Sequence, residues 1–138
     1  MPDRNLIYKK IAEILKQLNY LKKLSWLNEK QLLLEEPQLF LSERVMERLI
    51  GAAIDINMHL FSDLTGEVSN TYFNSFLDCA RLKVFPVSFA KEIAPSTGLR
   101  NILVHEYQEL DIKKFHDAMQ TALRYFTRYI RYVEKFIA

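Results

Sequence analysis

From Ile112 onward the apolar residues Ile112, Phe115, Met119, Ala122, Leu123, Phe126, Ile130, Val133 and Ile137 recur mostly in steps of three and four, with no glycine or proline among them. Side chains at that spacing share one face of an α-helix, whereas a strand needs alternation of period two. Asp111 stands where an N-cap is required. An apolar helical face of this length is stable only when other elements cover it, so the rest of the chain must supply partners.

The same period fills most of the remaining sequence. Between Asn5 and Leu24, the residues Leu6, Ile7, Ile11, Ile14, Leu15, Leu18 and Leu21 alternate with lysines in an amphipathic pattern. Asn28 and Gln31 have the spacing of a capping box, and Leu27 and Leu32 that of a hydrophobic staple, which starts a short second helix. Pro37 suits a first helical turn, and Phe40, Val45, Met46, Leu49, Ile50, Ala53, Ile54 and Ile56 carry a long helix to about Phe61, with Gly66 breaking it. Ser69 is placed to cap a helix with Tyr72, Phe73, Phe76, Leu77 and Ala80 on its buried side. Pro86 opens a further segment through Phe89, Ala90 and Ile93, and Pro95 either breaks it or bends it. The expectation is an all-α up-and-down bundle of about five to six helices without a sheet, spanning residues 1–138 as one domain.

Composition excludes several alternatives. Hydrophobic residues make up 49% of the 138, and there are only three glycines and four prolines, which argues against disorder and against a turn-rich β fold. The single cysteine, Cys79, cannot form an internal disulfide, and the opening residues lack a basic-then-apolar secretory layout; both point to the cytoplasm. No apolar run approaches the ~18 residues of a membrane span. The net charge of +2 names no partner, but basic residues concentrate toward both ends, and terminal segments packed side by side would form one basic surface.

The unusual polar chemistry lies in Gly98–Tyr107, where Arg100, Asn101, His105 and Tyr107 interrupt branched aliphatics. Asn101 and His105, four apart, share a helical face; Arg100 and Tyr107, seven apart, share a neighbouring one. Arg100 and His105 differ by roughly 140° around the axis, which favours a cleft completed by a second copy of the helix. An imidazole and a guanidinium suffice to cut RNA without a metal. The imidazole exchanges a proton with the ribose 2′-hydroxyl or the leaving 5′-oxygen, and the guanidinium holds the phosphate and its growing charge. Asn101 is a candidate for orienting either group. The bland alternative is that Arg100 and His105 only satisfy ordinary hydrogen bonds, since an Arg five residues before a His arises readily by chance.

These residues carry a resemblance. Arg100-Asn101 through His105-Glu106-Tyr107 is similar to the R-N-x-x-x-H-x-Y signature of HepT-like proteins, the toxin branch of the HEPN superfamily. The stretch from Glu43 to Leu60 resembles that family's long second helix, and Tyr72 to Leu77 its aromatic helix, while the first thirty or so residues match weakly. The resemblance implies a bundle that pairs as a homodimer through the motif helices and acts as a metal-independent endoribonuclease, with Arg100 and His105 catalytic and Asn101 supporting. It also implies a cognate MntA-type minimal nucleotidyltransferase as antitoxin, neutralising the toxin by attaching AMP to Tyr107. Added phosphates beside Arg100 would occupy the anion site and exclude RNA. The competing reading is a non-catalytic helical subunit that presents a nucleotide or substrate to a nucleotidyltransferase.

Other residues are weaker candidates. Arg124, Arg128, Arg131 and Lys135 form a basic stripe interleaved with Tyr125, Tyr129 and Tyr132, which reads either as RNA contact or as a solvated face beside core tyrosines. Asp55, a carboxylate in an apolar helical run, either pairs with Arg100 or faces a polar groove. His59 and His116 are isolated, and no metal site or cofactor is expected. Cys79 reads as a small buried side chain.

Overall fold

Pro37 and Gly66 bracket the helix on which the others pack. The computed structural model describes residues 3–105 and 110–138, and among these it contains seven helices and no strand. They are α1 (Arg4–Leu24), α2 (Glu29–Leu34), α3 (Glu36–Thr65), α4 (Tyr72–Arg81), α5 (Val87–Ile93), α6 (Ser96–His105) and α7 (Ile112–Ile137). The expected all-α bundle is present. Residues on either side of Pro95 form two helices: proline has no N–H to continue the ladder, and Thr97 N and Gly98 N turn back to Ala94 O and Pro95 O, both at 3.1 Å.

Helix α3 runs 30 residues, four longer than α7, and stops where Gly66 adopts φ 74°, its N–H reaching Ser62 O at 2.8 Å. Helix α1 lies along it, burying Ile7, Ile11, Ile14, Leu18, Leu21 and Leu24. At their shared edge Lys10 pairs with Asp55 at 2.9 Å and Arg48 with Glu13 at 3.3 Å. Asp55 is therefore engaged by a lysine of α1, not by Arg100. The apolar stripe of α1 is narrower than the sequence implies: Leu6 and Leu15 are exposed, while Gln17 is buried and donates to Glu13 Oε1 at 3.3 Å. Phe40, at the start of α3, is also exposed.

The capping box at Asn28 and Gln31 forms as expected, and Asp111 accepts from Lys113 N and Lys114 N. The cap of α4 differs. Thr71 Oγ1 accepts from Asn74 N, whereas Ser69 Oγ donates to Asp78 Oδ2 at 2.7 Å. Tyr72 and Phe73, expected inside, stand in the first turn of α4 and are exposed.

Helix α7 contacts α1, which brings the two basic ends of the chain together. Its inner face is fixed by Tyr129, fully buried, whose hydroxyl donates to Asn57 Oδ1 at 2.6 Å and lies 3.0 Å from Ala53 O. Asn57 Nδ2 donates to Ser75 Oγ at 3.2 Å, and Ser75 Oγ donates to the backbone oxygen of Tyr72 at 2.6 Å. A buried polar chain thus joins α7, α3 and α4. Such a chain favours one packing because each member would be costly to leave unpaired. Around it Phe76, Phe85 and Phe126 pack on the Tyr129 ring with centroids 5.8 to 6.3 Å apart. Among the described residues no helix is long and apolar enough to cross a membrane.

Candidate functional site

Helix α6 is the shallowest of the longer helices. Only Thr97 is fully buried, its hydroxyl donating to Ala94 O at 2.8 Å, while Leu99 and Leu103 pack partly against the core. Ile102 and Val104 are half-exposed. The helix rests on α3 and α4 with one side, and the half-exposed Ile102 and Val104, two residues apart, flank that side on opposite edges.

Arg100 is half-buried and turned toward α4, its guanidinium carbon 5.0 Å from the centroid of the Tyr72 ring. Its Nε is enclosed by protein and, like Ser96 Oγ one turn earlier, has no hydrogen-bond partner among the described residues. Among the described residues no carboxylate pairs with Arg100. A guanidinium held without a counter-anion is ready to receive one.

Asn101 and His105 are exposed on the solvent side of the helix. Asn101 lines an open groove of about 340 Å³ with Met58, Ser69, Asn70, Thr71 and Tyr72. The helical turn therefore sends Arg100 inward and His105 outward, the divergence expected from their five-residue spacing. Tyr107 lies outside the described residues.

The α7 stripe divides into two kinds of residue. Arg128 pairs with Glu92 at 3.6 Å and stacks over Phe89 at 4.8 Å, so it already braces α5. Arg124 lies over Tyr125 at 5.2 Å, and it, Arg131 and Lys135 are exposed. The interleaved tyrosines turn inward: Tyr129 is core, and Tyr132 packs on Phe89 with centroids 5.0 Å apart. They are not an exposed stacking surface. His59 pairs with Asp63 at 3.0 Å, and His116 donates to Leu27 O at 2.8 Å. Cys79 is buried beside Asn57; burial, with the Asp78 carboxylate adding to it, pushes its thiol up to about 12.

Tyr72 and Asn70 are the site neighbours that sequence reasoning missed. They lie about thirty residues from Arg100, and only the packing of α4 against α6 brings them near. No local pattern encodes that approach.

The family model described as "Ribonuclease HepT-like" matches residues 9–133. A curated relative, "tRNA nuclease HepT" of Aphanizomenon flos-aquae (strain 2012/KM1/D3), is 33% identical over 132 residues, covering 96% of this chain and 90% of its own. The fold matches a tri-AMPylated Shewanella oneidensis HEPN toxin solved in complex with its MNT antitoxin, with a TM-score of 0.85 and 24% identity over 98% of this chain and 99% of that one. It also matches a toxin–antitoxin structure containing AMP-PNP, with a TM-score of 0.85 and 22% identity over 95% and 98% of the two chains.

Proposed function

We propose, from the premise that this chain belongs to the HepT-like ribonuclease family, that Arg100, Asn101 and His105 form its RNA-cleaving site and that the protein is the toxin of a toxin–antitoxin pair. The observation that carries the site is a half-buried guanidinium with no counter-anion among the described residues, on the same short helix as an exposed imidazole. The 2′-oxygen attacks phosphorus as its proton leaves to a His105 imidazole. The bond from phosphorus to the 5′-oxygen then breaks, and that oxygen takes a proton from an imidazolium. Arg100 neutralises the extra negative charge on the phosphorane-like transition state, and Asn101 orients the phosphate.

One imidazole cannot be base and acid at the same instant, and one α6 sends its Arg and His in different directions. Two copies facing each other across α6 supply both groups to one cleft, so the active form is a homodimer. The exposed Arg124, Arg131 and Lys135 then hold flanking phosphates by charge. The relative named as a tRNA nuclease makes tRNA the substrate class to try first. A nucleotidyltransferase is the matching antitoxin, a reading supported by the AMPylated toxin solved with an MNT antitoxin, and Tyr107, the tyrosine of the motif, is the acceptor hydroxyl.

The test is digestion of an unfractionated tRNA pool by the isolated protein with excess chelator. The expected products carry 2′,3′-cyclic phosphate and 5′-hydroxyl ends; cleavage that stops with chelator, or ends of another chemistry, would overturn the mechanism.

A further inference from the structure

Among the described residues the half-buried guanidinium of Arg100 lies over a ring from α4, that of Tyr72, 5.0 Å from the guanidinium carbon. A guanidinium over an aromatic face is attracted by the ring quadrupole and keeps its N–H edges free for another acceptor. A carboxylate partner would hold Arg100 as firmly but would also consume those edges and cancel the charge. The aromatic ring fixes the cation without neutralising it.

The ring is itself held. Its residue occupies the first turn of α4, where Thr71 caps the helix, and its backbone oxygen accepts from Ser75 Oγ. Ser75 accepts from Asn57, and Asn57 from Tyr129. Asn57, Ser75 and Tyr129 are fully buried, so the backbone that carries the ring is anchored to the core. We infer that Tyr72 is a positioning residue for RNA cleavage: its ring, carried on a backbone tied to the core through Ser75, Asn57 and Tyr129, presets the Arg100 guanidinium for the scissile phosphate. The role rests on Arg100 being the catalytic cation proposed above.

Preorganising a charge acts on the transition state more than on ground-state binding, so the effect belongs in kcat. Tyr72→Leu keeps the bulk and removes the π-face; Tyr72→Phe keeps the face and removes only the hydroxyl. Because the ring is 41% exposed at a helix terminus, both variants are expected to fold. In tRNA cleavage Tyr72→Leu should lower kcat about tenfold with little change in KM, and Tyr72→Phe should stay close to wild type. A second readout needs no activity. The Arg100 Nε–H resonance in a ¹⁵N-arginine spectrum, identified by its loss in Arg100→Ala, should lose its ring-current shift in Tyr72→Leu and keep it in Tyr72→Phe.

An Nε–H signal unmoved by Tyr72→Leu, undiminished kcat in that variant, or equal losses in both variants would overturn the inference. Wild-type cleavage by Arg100→Ala would instead remove the catalytic reading on which it rests. The resonance then reports separately whether the contact itself is real.

Discussion

Helices α3 and α6 show two different ways of placing a side chain. Along α3 twelve residues are fully buried, polar Asn57 and Ser42 included, and both of those have hydrogen-bond partners. Along α6 one residue is fully buried, and two enclosed polar atoms, Arg100 Nε and Ser96 Oγ, have no partner among the described residues. An orphaned donor or acceptor costs about 1–3 kcal/mol; on the longer α3 the one such atom is His59 Nε2, which lies 3.0 Å from Asp63 Oδ2. Helix α3 is covered almost all round by the chain itself, whereas α6 leaves most of its surface uncovered.

The largest separation between the two regions comes from one substitution in each. His105→Ala removes an exposed proton carrier, and cleavage should fall by about 10²–10⁴-fold while the melting temperature stays unchanged. Phe76→Ala empties a fully buried site and should destabilise the fold by about 3–5 kcal/mol, with the surviving folded molecules still cutting RNA. Rates normalised to folded protein, read beside denaturant titrations, check both. Comparable stability losses in the two variants would erase the distinction.

A second substitution asks what completes α6. Ile102→Glu places a charge on a half-exposed flank of that helix. The isolated fold should tolerate it within about 0.5 kcal/mol, as surface changes generally do. In sedimentation equilibrium the dimer should dissociate, and cleavage should fall with it. A fully active monomer would show that one α6 suffices.

The same contrast marks how far the sequence could be read. Helix α7 was legible because its period, its Asp111 cap and its uninterrupted length all agree; so was the capping box at Asn28. Tyr129 was not: its position fits the basic stripe's tyrosines as well as the core, and only Asn57 and Ala53, more than seventy residues away, decide between them. Ser69 lost its cap to Thr71 because either residue can start α4 locally, and Asp78 supplied Ser69 with another partner. In the site, Arg100, Asn101 and His105 stood out as polar residues among aliphatics. What holds Arg100 stayed hidden, since a contact between α4 and α6 leaves no local spacing to read.

Alkaline pH probes the finished region alone. Unfolded, the Cys79 thiol titrates near 9.0; folded, burial and the Asp78 charge hold its proton to about 12. Between those values the unfolded chain binds fewer protons, so stability falls as pH rises, by about 1.4 kcal/mol per unit for one group. Tyr129, held well above its usual range chiefly by burial, adds loss in the same direction above about 10. Denaturant midpoints against pH should therefore slope less steeply in Cys79→Ala than in wild type. Equal slopes would mean that Cys79 is not enclosed as described.

The smallest effect concerns the exposed basic residues of α7, which belong to neither a finished core nor an unfinished site. Arg131 is exposed with no recorded partner among the described residues, whereas Arg128 is spent on Glu92 and Phe89. If Arg131 touches an RNA phosphate, Arg131→Ala should weaken binding to all tRNAs alike and reduce the slope of log affinity against log salt by about 1. Arg128→Ala should instead lower stability modestly, chiefly through lost packing on Phe89, the half-exposed pair with Glu92 adding little. Fluorescence anisotropy at several salt concentrations separates the two. An unchanged salt slope for Arg131→Ala would mean that the stripe is a solvated helix face, and would confine RNA recognition to the cleft at α6.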